Sequence, residues 1–106
     1  MKIITICGSI KFKDEMIKTA LQMELNGNVV LTPIFPPDNS EIAFTDREIA
    51  VLGEMHKEKI KLSDAVLVMN KDGYIGSSTK GEIEFAKALN KEIMYYTDLK
   101  AANILQ

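Results

Sequence analysis

Apolar residues gather in four short dense runs, separated by longer segments in which they recur every three or four positions. Lys2 to Cys7, KIITIC, is apolar and β-branched and is ended by Gly8-Ser9, which predicts a first strand buried on both faces. From Lys13 to Asn26, Met16, Ile17, Ala20, Leu21, Met23 and Leu25 recur at largely helical spacing, and Gly27 follows as a C-terminal cap. Asn28 to Thr32, NVVLT, predicts a second strand. Pro33 and Pro36-Pro37 then impose an extended, irregular connection, an exposed loop to about Phe44. Thr45 or Asp46 caps a helix to about Leu62, whose inward stripe by helical counting is Ile49, Leu52, His56 and Ile60. Ala65 to Met69, AVLVM, is a third strand closed by the turn-prone Asn70-Lys71-Asp72-Gly73. A further helix ends near Asn90-Lys91, Glu92 to Tyr96 is a fourth strand, and Thr97 onward is a short tail with helical character.

Strand and helix alternate throughout, so right-handed βαβ crossovers should surround a parallel sheet covered on both faces. The expected fold class is α/β, a small Rossmann-like, flavodoxin-like, three-layer arrangement with four or five parallel strands. In such sheets the ligand crevice lies beyond the carboxyl ends of the strands, where Gly8-Ser9 and the Gly76 to Thr79 loop should meet.

Composition narrows the classes of function. A chain of 106 residues fits one domain, 1–106, and 46% apolar with 26% charged residues is ordinary for a globular protein. A formal charge of -2, with no long run of like charges, gives no footprint for a nucleic acid polymer or an anionic membrane. The single cysteine, Cys7, excludes an intramolecular disulfide and a multi-cysteine metal site. With neither a signal-peptide core nor a spanning segment in view, a cytoplasmic location is expected.

The stretch GYIGSSTKGEIEFAKALNK, residues 73 to 91, carries the most chemistry. Thr79-x-x-Glu82 reads as a capping box. The Gly76, Ser77, Ser78 and Thr79 loop also presents amides, hydroxyls and a positive dipole end that suit a phosphate. Cys7-Gly8-Ser9-Ile10-Lys11 offers a close backbone approach and a hydroxyl. It has the spacing of neither a dinucleotide G-x-G-x-x-G nor a Walker loop, so no cofactor is expected. His56 is the one histidine, and its neighbours Glu54 and Glu58 lie on other helix faces, so no metal site is expected. On an apolar stripe it reads first as a core residue, and Cys7 as a small buried hydrophobe. Glu82 and Glu84 are two apart and point to different faces of a helix. Glu82 goes with Ala86 and Leu89, whereas Glu84 goes with Lys80 and Lys87 or Ala88 toward solvent.

The segments ICGSIKF, LSDAVLVMN and GSSTKGEIEFAKALNKEI, in that order over nearly the whole chain, resemble the nucleoside 2-deoxyribosyltransferase superfamily, including the 2'-deoxynucleoside 5'-phosphate N-hydrolases. The resemblance implies that Glu82 is the nucleophile that attacks the anomeric carbon and forms a glycosyl-enzyme ester. Hydrolases of that family hold the 5'-phosphate with a serine before this glutamate, where transferases have an aspartate. Here no acidic residue lies between Gly73 and Lys80. The family aspartate eight residues before the strand-opening aspartate falls, counting back from Asp64, on His56, which departs from the pattern.

The reading that follows is an N-glycosidase of nucleoside 5'-monophosphates. Glu82 is its nucleophile, His56 assists the leaving base as a protonated imidazole, and Ser9, Ser77, Ser78 and Thr79 hold phosphate. Cys7, Gly8, Ile10 and Gly76 line the substrate, and Tyr74 lines the base pocket. A base-exchanging transferase and a nucleotide-binding sensor without turnover are the alternatives. The partners expected are a small nucleoside or nucleotide and a second copy of the chain, in a homodimer.

Overall fold

A computed structural model describes residues 1–37 and 43–106. Its elements in chain order are β1 (Ile3–Cys7), α1 (Lys13–Leu25), β2 (Val29–Leu31), α2 (Asp46–Leu62), β3 (Ala65–Val68), α3 (Ser77–Ala88), β4 (Glu92–Tyr95) and α4 (Tyr96–Ala101). Short 3-10 turns at Ile10–Phe12 and Lys71–Gly73 follow β1 and β3. The strands form one parallel sheet in the order β2-β1-β3-β4, the flavodoxin-like order with four strands among the described residues. None of the described helices is long and apolar enough to cross a membrane.

Alternation along the two central strands divides the core. Ile4, Ile6, Ala65 and Leu67 join Phe12, Met16 and Met23 on one face. On the other, Cys7 and Val66 meet Ile60 of α2 and Ala86 of α3. The sheet is therefore the middle of three layers. The C-terminal tail is part of the first layer, because Leu105 is buried in that cluster. Thr5 is the one polar side chain buried in β1. Its hydroxyl donates to the Lys59 carbonyl at 3.1 Å and pairs with the Ser63 hydroxyl, so burial leaves it satisfied.

Three helical expectations change. On α1, Ile17, Leu21 and Leu25 are exposed while Met16, Thr19 and Met23 are buried, so the inward stripe follows the i, i+3, i+7 track. On α2, Ile49 is exposed, and of the expected stripe only His56 and Ile60 are buried. The capping box forms at Thr45 and Glu48, at 3.1 and 2.9 Å, rather than at Thr79 and Glu82. α3 begins three residues earlier than that pattern implies, at Ser77 after the N-cap Gly76. Thr79 is therefore a buried first-turn residue, and Glu82 sits in the second turn. Of the predicted loop to Phe44, residues 38–42 lie outside the described ones, and 32–37 are irregular.

Gly8 closes β1 where the backbone turns toward the 3-10 segment, against β3's end. A Cβ there would meet Met69 Cβ at 2.7 Å and Met16 Sδ at 3.4 Å. Since the nearer atom lies at the base of a fully buried side chain, the strand ends would have to part. Gly8→Ala should therefore destabilise the fold by about 1–3 kcal/mol, measured as a lower urea midpoint at unchanged slope. An unchanged midpoint would show that the end of β1 yields freely.

Candidate active site

The carboxyl ends of β1 and β3 and the start of α3 converge where strand order reverses. Between them lies a cavity of about 320 Å³ lined by Gly8, Ser9, Ile10, Tyr74, Gly76, Ser77, Ser78, Thr79 and Glu82. Ser9 caps the first 3-10 turn, its hydroxyl accepting from the Lys11 amide at 3.4 Å. Gly76 leaves room for Tyr74, whose hydroxyl would lie 3.4 Å from any added Cβ. Tyr74 is 45% exposed, packs edge-on against Phe12, and carries the Lys11 ammonium over its ring at 3.2 Å from the centroid.

α3 differs at its start from the helices before it. α1 has Asp14 and Glu15 in its first turn and α2 has Asp46 and Glu48, but α3 has no acidic residue there and no side-chain cap. Ser77, Ser78 and Thr79, the first residues of α3, line this cavity, and no first-turn acidic side chain offsets the helix's positive dipole end there.

A second cavity, about 180 Å³, is lined by Gly8, Pro33, Ile34, Leu52, Gly53, His56, Lys59 and Glu82. Gly8 and Glu82 belong to both, so Glu82 stands in the wall between them, and among the described residues it is the one carboxylate lining either. Its side chain is 24% exposed, and Oε1 lies 3.6 Å from His56 Nε2. Behind both is Cys7, at 0% exposure, with Sγ 3.5 Å from the same nitrogen. A cavity of about 270 Å³ near the start of α2 shares only Leu52 with this pair, and neither Glu82 nor His56 reaches it.

Removal from water governs the electrostatics. Burial pushes the Glu82 carboxyl from its ordinary 4.5 up to about 7, a shift opposed by a hydrogen bond from the Cys7 thiol. Burial also pulls His56 from 6.5 down to about 4, helped by the Lys59 charge. The attraction between an imidazolium and a carboxylate at 3.6 Å opposes both shifts, and desolvation outweighs it. The Cys7 thiol is raised well above its usual range by burial and then by the Glu82 charge. At neutral pH the histidine is therefore neutral and the carboxyl about half ionised. His56 Nδ1 is buried without a hydrogen-bond partner among the described residues.

Of the residues expected at the site, Gly8, Ser9, Ile10, Tyr74, Gly76, Ser77, Ser78, Thr79 and Glu82 share one cavity, and His56 borders its neighbour. Cys7 lies beneath them rather than on the surface of either cavity. His56 as a protonated imidazole near neutral pH is corrected, because its burial favours the neutral ring. Sequence reasoning missed Lys11, Pro33, Ile34, Leu52, Gly53 and Lys59. Gly53, a glycine inside an otherwise regular helical stretch, was the readable signal, and it lines the smaller cavity. Lys59 became a site residue only through tertiary structure, its ammonium donating to the Thr32 carbonyl at 2.8 Å.

No protein-family model matches the chain, and none of the curated proteins does. The fold matches the solved structure of a 2-desoxiribosyltransferase from Leishmania mexicana with a TM-score of 0.62, at 20% sequence identity over 91% of this chain. The chain spans 64% of that protein's length, and at this identity the likeness is one of fold.

The raised Glu82 makes a stability prediction with a definite sign. A carboxyl whose folded pKa lies near 7 against 4.5 unfolded costs nothing below 4.5, and the cost grows as pH rises to 7. Glu82→Gln should therefore stabilise the protein by about 2–3 kcal/mol at pH 8, with the gain falling below about 1 kcal/mol by pH 5. His56 destabilises as pH falls from 6.5 toward 4, and at pH 8 it is uncharged folded and unfolded, so the comparison there reads Glu82. Equal denaturation midpoints at pH 8 would mean that the carboxylate is well solvated.

Proposed function

We propose that this protein is an N-glycosidase of nucleoside 5'-monophosphates, acting through a covalent ester between the sugar and Glu82. The observation that carries the reading is Glu82, alone as a carboxylate among the described lining residues, in the wall between two cavities of different chemistry. A glycosidic bond joins two parts just as unlike. In the pose that follows, the 5'-phosphate lies against the first-turn amides and hydroxyls of Ser77, Ser78 and Thr79, with Ser9 beside it. The sugar reaches along Gly8 to Glu82, and the base enters the compartment of Pro33, Ile34, Leu52 and His56. Tyr74, expected beside the base, instead stands with the sugar and phosphate, bringing the Lys11 cation with it.

In the first step a Glu82 oxygen bonds to C1' as the C1'–N bond breaks. The bond pair leaves on the base nitrogen, which takes up a proton from water. In the second step water bonds to C1', the ester C–O bond breaks, the pair returns to the carboxylate, and the water's proton is released. Neutral His56 donates an N–H to Glu82 or to the base but does not act as an acid through an imidazolium. Amides pre-oriented at the far end of the substrate supply the positioning that a lone nucleophile needs.

Base exchange is the second reading. The fold neighbour is named a 2-desoxiribosyltransferase, and a second base can open the same ester in place of water. A sensor without turnover is the third, favoured by the neutral His56. Cytoplasmic location and a homodimer belong to this proposal, the latter supported by the exposed Ile49, Val51 and Met55 on α2 and checked by sizing in solution.

The test incubates the protein with nucleosides and their 5'-monophosphates, with and without a second free base, and resolves the products by chromatography. Free base and sugar phosphate from monophosphates are expected, and Glu82→Ala should lower the rate by about a thousandfold or more. Product only with an added base indicates transfer, and binding without product indicates a sensor. Ser77→Asp should raise KM for a monophosphate by about tenfold, with little change for the nucleoside, because it places a like charge on the phosphate's side of the helix. Equal effects on the two substrates would put the phosphate elsewhere.

A further inference from the structure

Cys7, His56 and Glu82 come from three separate elements, and one ligand atom from each lies within 4.8 Å of the others. Sγ and Nε2 are 3.5 Å apart, and Nε2 and Oε1 are 3.6 Å apart. A tetrahedral Zn²⁺ with bonds of about 2.3 Å to sulfur and 2.0–2.2 Å to nitrogen and oxygen sets its ligands about 3.6 Å (S to N) and about 3.4 Å (N to O) apart. Two of the three separations thus already match a shared metal. The third, between Sγ and the Glu82 carboxylate, lies within 4.8 Å, and Glu82 is the most exposed of the three. A set of one thiolate, one imidazole and one carboxylate favours a borderline-soft ion of the Zn²⁺ class over Mg²⁺ or Ca²⁺.

From these separations we infer that Cys7 Sγ, His56 Nε2 and a Glu82 oxygen form a three-ligand site for a single Zn²⁺-class ion, its fourth position open to the two cavities. Binding displaces the thiol proton, and the thiolate and carboxylate balance the ion's charge. Among the described residues His56 Nδ1 has no partner to orient the ring, so affinity is about 10- to 100-fold below that of a fully buttressed site, and the metal exchanges. The site itself is independent of the proposed reaction. One consequence alone depends on that reading: a metal-held Glu82 oxygen cannot bond to carbon, so zinc silences the glycosidase.

The test uses the full chain, kept reduced and stripped of metal by a chelator, and titrates it with Co²⁺ and then Zn²⁺ while recording absorption. The expected result is uptake of one equivalent of Co²⁺ with tetrahedral ligand-field bands and a thiolate-to-cobalt charge-transfer band, all lost on adding Zn²⁺. Cys7→Ser should abolish the charge-transfer band, and Glu82→Gln should weaken binding by about tenfold or more. Should Cys7→Ser fail to fold, the wild-type band and Glu82→Gln still decide the matter. Absence of the thiolate band in the wild-type protein, or unchanged affinity in Glu82→Gln, overturns the site. Because the readout needs no turnover, a failed cobalt titration leaves the glycosidase reading standing, and an absence of turnover leaves the metal site standing.

Discussion

Holding one carboxylate out of water at the end of a parallel sheet is the constraint from which the other features of this site follow. Glu82 sits where β1 and β3, paired in register up to Cys7 and Val68, stay close at Gly8, a residue with no side chain to push Met69 away. The strand ends present a buried thiol and α2 presents a buried imidazole, so the carboxylate faces groups that hydrogen-bond it weakly and do not neutralise it. The result is a carboxylate close to its midpoint at neutral pH, destabilising to the fold and therefore available for chemistry.

Positive electrostatics surrounds that point without contacting it. The uncapped start of α3 and the Lys11 ammonium lie on the side of the larger cavity, and Lys59 lines the smaller one. Among the described residues no second carboxylate lines either cavity to repel an anion. The chain as a whole is acidic, at -2, yet its crevice is not, so overall charge is a poor guide to the ligand such a crevice accepts.

The fold was readable because its signals are local. Four apolar runs, bounded by glycine and proline and separated by helical periodicity, leave few topologies once crossovers must be right-handed. Helix ends were harder. Thr45-x-x-Glu48 and Thr79-x-x-Glu82 have the same form, and only the first became a box, because packing of Thr79 against the sheet started α3 earlier. Likewise Leu21 and Met23 are comparably apolar, and the helix's rotation against the sheet, which no local rule sets, buried only the latter.

Sequence by itself determined the alternation of strands and helices, the two small-residue loops and their convergence at the strand ends, since these depend on residue type and chain order. It also singled out Glu82 over Glu84, a matter of helical phase. Tertiary structure alone decided that Cys7, His56 and Glu82 would share one point, because they lie 49 and 26 residues apart along the chain and meet only through sheet register and helix packing. It likewise decided the charge state of that group. Protonation depends on how much water burial removes, and that quantity does not exist until the layers close.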